Sequence, residues 1–177
     1  MPQITRTIDY NGFDTRVRRL GLGALVAEAT STLDFELLVE ERRHANGTQG
    51  LRRLIDGGFH GLGGWTCIKS GGVDWTKSNA QGATVAVEVQ VSGRSDLLAV
   101  DVLHLSERLV EGTIDAGVII VPDDELSEYL TDRTPNLATA IRHVDRRAKD
   151  LPIRIIAFRH DGPGPALPKM RTNLGRL

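Results

Sequence analysis

The chain has 177 residues, 40% of them hydrophobic and 25% charged, which suits one domain with a proper core. Its net charge of −1 argues against coating nucleic acid by bulk charge, and no apolar run approaches the roughly 20 residues of a membrane helix. With a polar start, MPQITRTIDYNG, a soluble cytoplasmic protein is expected, while the lone Cys67 excludes a disulfide framework or multi-cysteine zinc site and reads as a small buried residue.

In chain order, residues 16–29 read as a helix carrying Leu20, Leu22, Leu25 and Val26 despite Gly21 and Gly23. Residues 33–41 suit either a half-buried strand or a helix. Asn46-Gly47 marks a turn before a helix that starts near Thr48, with Leu51, Leu54, Ile55 and Phe59 on one face. The glycine-rich GGFHGLGGW lacks the Gly-Lys-Ser/Thr of a phosphate loop, so its glycines are expected to end that helix.

Val73-Asp74-Trp75 is a short strand candidate, and KSNAQG after it is turn material for a hairpin. From Thr84 to Val91 the alternation is strict: Val85, Val87, Val89 and Val91 line one face, and Thr84, Ala86, Glu88 and Gln90 the other. Ser95 or Asp96 is placed to cap a helix bearing Leu98, Val102, Leu105 and Leu109, stopped at Glu111-Gly112. A buried strand follows over 114–121, then a short helix from Asp123 and Asp124 through Leu130. Asn136 caps a helix with Leu137, Ile141, Val144 and Ala148 inward, and residues 153–158 form the last strand. Strands joined by amphipathic helices imply parallel crossovers and the hairpin adds an antiparallel pair, so the fold class is α/β with a mixed central sheet flanked by helices. Residues 161–177 contain Lys169, Arg171 and Arg176 amid proline and glycine, and read as a basic extended arm that either lies on phosphates or is a solvated tail.

Period two puts Glu88 and Gln90 on one sheet face. If the hairpin pairs as drawn, Asp74 lies on the next strand, and two carboxylates so placed repel unless a cation sits between them. Hard oxygen ligands, with the Val89 carbonyl, suit Mg²⁺ better than zinc, and such a centre hydrolyses phosphodiesters. The bare pattern, Asp, thirteen residues, Glu-x-Gln, is equally the pattern of a solvent-facing polar edge.

VDWTK, TVAVEVQVSGRSDLLAVDVLHL and GTIDAGVIIVP together resemble the core of BglII-type restriction endonucleases, a divergent branch of the PD-(D/E)XK nucleases. The resemblance implies a single PD-(D/E)XK domain in which Asp74 and Glu88 hold the metal and Gln90 replaces the usual lysine. Glutamine neither carries a charge nor serves as a base, so its role would be to orient the attacking water. The hairpin, with KSNAQGAT between the acids, is longer than the family's usual one. The family also implies an upstream acidic or amide residue, for which Glu36, Glu40 and Asn46 are candidates beside their reading as surface residues. It places base-contacting loops at SGRS, with Arg94, and at LTDRTPN, with Arg133, where arginine can hold guanine edges or phosphates in a bidentate fork.

Double-stranded DNA, Mg²⁺, a homodimer matched to a palindromic site and a cognate DNA methyltransferase are the implied substrate, cofactor and partners. The resemblance also favours a six-base palindrome with a GATC-like centre. Two alternatives stay open: a structure-specific repair or phage-defence nuclease of the same fold, and an inactive DNA-binding or assembly module. The histidines at 44, 60, 104, 143 and 160 show no zinc-hydrolase spacing. His104, three residues after Asp101, suits a local helix-surface pair, and Arg142, Arg146, Arg147 and Lys149 suit a solvated helix face.

Overall fold

The alternation of residues 84–91 is realised in a central strand. The computed structural model describes residues 3–68, 72–91 and 95–169, and in it β5 (Thr84–Val89) lies between β6 (Ala116–Pro122) and β4 (Trp75–Ser78). Val85, Val87, Val89 and, just past the strand, Val91 pack into one core with Ile55, Phe59 and Trp75. Ala86 faces a second core with Leu98, Val102 and Leu105. The sheet is thus covered on both faces, and a one-residue slip of β5 would exchange its valines for Glu88 and its neighbours.

The six-stranded sheet runs β1-β7-β6-β5-β4-β3, with β1 (Gln3–Asp9) and β3 (Thr66–Cys67) at its edges and β7 (Ile153–Arg159) next to β1. β5, β6 and β7 are parallel, while β1, β4 and β3 join them antiparallel. The parallel steps are bridged by α4 (Ser95–Glu111) and by α5 (Asp124–Tyr129) with α6 (Leu137–Arg147), as parallel connections demand. This is the expected α/β class with a mixed sheet flanked by helices. The caps are where local chemistry put them: Asp123 accepts from the Leu126 amide and Asn136 from the Thr139 amide. The expected cap from Ser95 or Asp96 lies outside the described side chains.

Several expectations are corrected. Residues 16–29 form two helices, α1 (Phe13–Arg19) and α2 (Gly23–Ser31), because Gly21 turns the chain with φ 66°. Residues 3–9, polar and mostly exposed, are a strand held to β7 by its backbone and by a bidentate Arg154–Asp9 pair at 2.7 and 2.6 Å. The 33–41 segment is largely irregular, with a two-residue β2 (Leu38–Val39) parallel to β8 (Gly162–Pro163). Cys67 is exposed at the sheet edge, not buried. In α3 (Gln49–Leu62) the buried stripe is Leu51, Ile55 and Phe59, while Leu54 falls off it and is 48% exposed. The glycines at 57, 58 and 61 sit inside α3, and Gly63 with φ 68° follows its last residue.

Within the 161–177 segment, Leu167 accepts from the Gly47 amide at 2.9 Å and donates its own to Asn46 Oδ1 at 3.0 Å. A Cβ on Gly47 would stand 2.0 Å from the Pro168 carbonyl oxygen, so this turn admits glycine alone. Residues 170–177, with Arg171 and Arg176, lie outside the described residues. Among the described residues no helix is long and apolar enough to cross a membrane.

Candidate active site

Trp75 pairs with Val87, so one residue back along the antiparallel ladder Asp74 stands level with Glu88. Asp74 Oδ2 accepts the Val89 backbone N–H at 2.8 Å, which fixes its carboxylate at the end of β5. Glu88 is 2% exposed, and its Oε1 has no hydrogen-bond partner among the described atoms. Its pKa is pushed up to about 10, by burial first, then by the charges of Asp74 and Asp101 and a hydrogen bond with Asp74, against a lowering pull from Arg52. Gln90, also buried, continues the ladder by donating its backbone N–H to Ile120 at 2.8 Å. Its side-chain amide donates to Asp101 Oδ2 on α4 at 2.7 Å.

The third side of the site is α3. Arg52 and Asp56, one turn apart, flank the Leu51–Ile55–Phe59 stripe and reach β5 and β4. Arg52 Nε donates to both Asp56 oxygens at 2.9 Å, Nη1 to the Val89 carbonyl at 2.9 Å, and Nη2 contacts Asp74 Oδ1 at 2.9 Å. Burial opposes the guanidinium charge, but Asp74 and Asp56 outweigh it and hold its pKa above the ordinary value. Asp56 is itself held by Trp75 Nε1 at 3.1 Å, and Phe59 stacks on the Trp75 ring with centroids 5.0 Å apart. The carboxylates therefore sit on a rigid floor of apolar packing.

Asp56, through Arg52, and Asp101, through Gln90, thus flank the Asp74–Glu88 pair. Comparison with known families supplies an identity for the chain. The family described as restriction endonuclease BamHI matches residues 30–172, the greater part of the chain. The chain belongs to the BamHI restriction endonuclease family. No curated protein sequence matches it. Membership makes this BamHI-family chain a type II restriction endonuclease, the class to which the resemblance of its core pointed.

Of the expected site residues, Asp74, Glu88 and Gln90 come together at this candidate site, as the hairpin register requires. The Val89 carbonyl is there too, but it accepts from Arg52. Arg133 has φ 67° in the loop before α6 and lies 3.8 Å from Asp132, and Lys169 bonds the His44 carbonyl; neither pairs with the acids. Arg94 and Arg171 lie outside the described residues. None of the upstream candidates reaches Asp74 either. Glu40 pairs with Arg42 at 2.7 Å, Asn46 is buried bonding the Glu40 and Tyr129 carbonyls, and Glu36 is exposed. Asp56 occupies that side of the cluster instead.

A divalent cation fits the donor set of Asp74 and Glu88. Both are hard oxygen ligands, Glu88 presents a buried oxygen without a partner, and their mutual repulsion is relieved by positive charge. Among the described residues no three acidic, histidine or cysteine side chains form a ready-made metal cluster, and the guanidinium of Arg52 stands between Asp56 and Asp74.

Proposed function

We propose that this restriction endonuclease is Mg²⁺-dependent and cuts short palindromic duplex DNA as a homodimer, each subunit hydrolysing one strand. Asp74, Glu88 and the Val89 carbonyl would hold the metal, whose chemistry is to polarise a phosphoryl oxygen and lower the pKa of a bound water. Gln90 orients the attacking water. Asp101 takes the Gln90 amide nitrogen, so the Gln90 carbonyl oxygen is the end left to accept from water. The observation that carries this reading is Glu88, a buried acid with an unpaired oxygen level with Asp74, an arrangement whose repulsion a divalent cation would relieve.

Arg94 and Arg133 are proposed to read bases or hold phosphates, and Lys169 and Arg171 to lie on the backbone. The likeness of the core to BglII-type enzymes, Gln90 in place of lysine included, supports that branch, and the same likeness favours a six-base site with a GATC-like centre. Homodimerisation is supported by α4, whose outer face carries Leu97, Val100, Leu103 and Val110, exposed by 50, 44, 43 and 74%. A cognate DNA methyltransferase and cytoplasmic residence belong to the same reading. Plasmid digestion with Mg²⁺ tests it: discrete fragments whose ends map to one palindrome are expected, and a smear or uncut plasmid would refute it. Wild-type cutting by folded Asp74→Ala and Glu88→Ala proteins would refute the residue assignment.

Arg52 among the acids favours one second reading, an inactive DNA-binding module whose cation is its own arginine. Its mark would be DNA binding unaffected by Glu88→Ala, with no cleavage in Mg²⁺ or Mn²⁺.

A further inference from the structure

The geometry points to Arg52 as a tethered counter-ion that competes with a divalent cation for Asp74 and the Val89 carbonyl, and so sets the cation affinity of the cutting centre. This rests on Asp74 and Glu88 being the cation ligands. The guanidinium divides its donors unequally. Nε is held by both Asp56 oxygens at 2.9 Å within one helix, whereas Nη1 and Nη2 cross to Val89 and Asp74 on the sheet. Asp56 is anchored independently by the Trp75 indole at 3.1 Å, so the within-helix pair survives when the cross-element contacts are released.

The two atoms given up, Asp74 Oδ1 and the Val89 carbonyl oxygen, are oxygen donors of the kind a hard cation takes. With both contacts made, Arg52 neutralises acids that would otherwise repel. Beside a divalent ion at Asp74 the same guanidinium is a like charge less than a Debye length away. Arg52 must therefore yield as the cation enters, and the observed affinity is the difference between two competing cations. Lysine is a compact charge without the planar fork and cannot span Asp56, Asp74 and Val89 together, so it would hold the site more weakly.

The test is calorimetric titration of Mn²⁺ alone, without DNA, into wild type, Arg52→Gln, Arg52→Lys and Asp74→Asn, with circular dichroism reporting folding. Arg52→Gln is expected to bind Mn²⁺ at least tenfold more tightly than wild type, with Arg52→Lys in between, and Asp74→Asn to lose binding. Added Mn²⁺ should also raise the melting temperature of Arg52→Gln by more than that of wild type. Equal or weaker binding by Arg52→Gln, with Asp74→Asn still losing it, would overturn the role of Arg52 alone. Undiminished binding by Asp74→Asn would overturn the metal-site reading beneath it. If Arg52→Gln does not fold even with Mn²⁺, Arg52→Lys decides: tighter binding than wild type supports the competition, and equal or weaker binding overturns it.

Discussion

Gln90 donates its side-chain amide to Asp101 across 2.7 Å, tying the end of β5 to α4. Asp101 is half-buried, and burial, then the charge of Asp74, push its pKa above the ordinary carboxylate value while the Gln90 donation opposes them. On the role proposed for Gln90, Asp101 acts through it as a positioning residue. Asp101→Ala frees the Gln90 amide to rotate and is expected to lower kcat by about 10- to 100-fold with DNA affinity unchanged. Single-turnover cleavage beside a binding titration checks this, and a loss confined to DNA affinity would count against it.

Glu88 makes stability depend on pH in a direction opposite to that of most acids. Its pKa, raised to about 10 in the folded protein from 4.5, means that the native state keeps a proton the unfolded chain has released. Its stabilising contribution is therefore complete below about pH 4.5 and is progressively lost as pH rises towards 10. Glu88→Gln, which cannot ionise, should be more stable than wild type at pH 8 without divalent cations, by roughly 1–3 kcal/mol, with the gap closing near pH 4. Urea unfolding at the two pH values measures it. A gap that widens on acidification would contradict the burial argument.

The close approach of α4 to the sheet is set at Gly117 on β6. A Cβ there would lie 2.8 Å from Leu105 Cδ2, and Leu105 is wholly buried. Gly117→Val should cost about 1–3 kcal/mol by overpacking and displace the helix that carries Asp101. Chemical denaturation reports the loss, and unchanged stability would show that Leu105 repacks freely.

For the proposed dimer, Leu103→Glu places a charge in the exposed apolar stripe of α4. Monomer stability should shift by less than about 0.5 kcal/mol, since the side chain is exposed and belongs to neither core. Sedimentation should show dissociation to monomer, with nicking of plasmid in place of double-strand cuts. A dimer of wild-type strength would place the interface elsewhere.

What could be read before the fold was known is what local periodicity encodes. The valines of β5 alternate, so Glu88 and Gln90 were fixed to one face, and Asn136 announces its helix by a side chain that serves the Thr139 amide. The edge strand β1 escaped because its partner, β7, lies at the other end of the chain and its own side chains are polar. Arg52 and Asp56 escaped for a related reason. In sequence they are an i,i+4 pair of the sort that decorates solvated helices; the faint signal was their place beside the Leu51–Ile55–Phe59 stripe, which turns that flank towards Trp75. Asp74 was readable only through pairing, and pairing proved regular from Trp75↔Val87 to Ser78↔Thr84.

The long hairpin between the two acids is absorbed wholly beyond that ladder. Asn79 closes the turn by accepting from the Gln81 and Ala83 amides, both at 3.0 Å, and Gly82 supplies the positive φ of 83°. Register at the acids is thus decoupled from the length of the connection. The exposed tip at Gln81 and Gly82 is accordingly a natural port for grafting: an epitope or fluorophore-bearing peptide spliced there would ride on the molecule while leaving the alignment of Asp74 with Glu88 untouched.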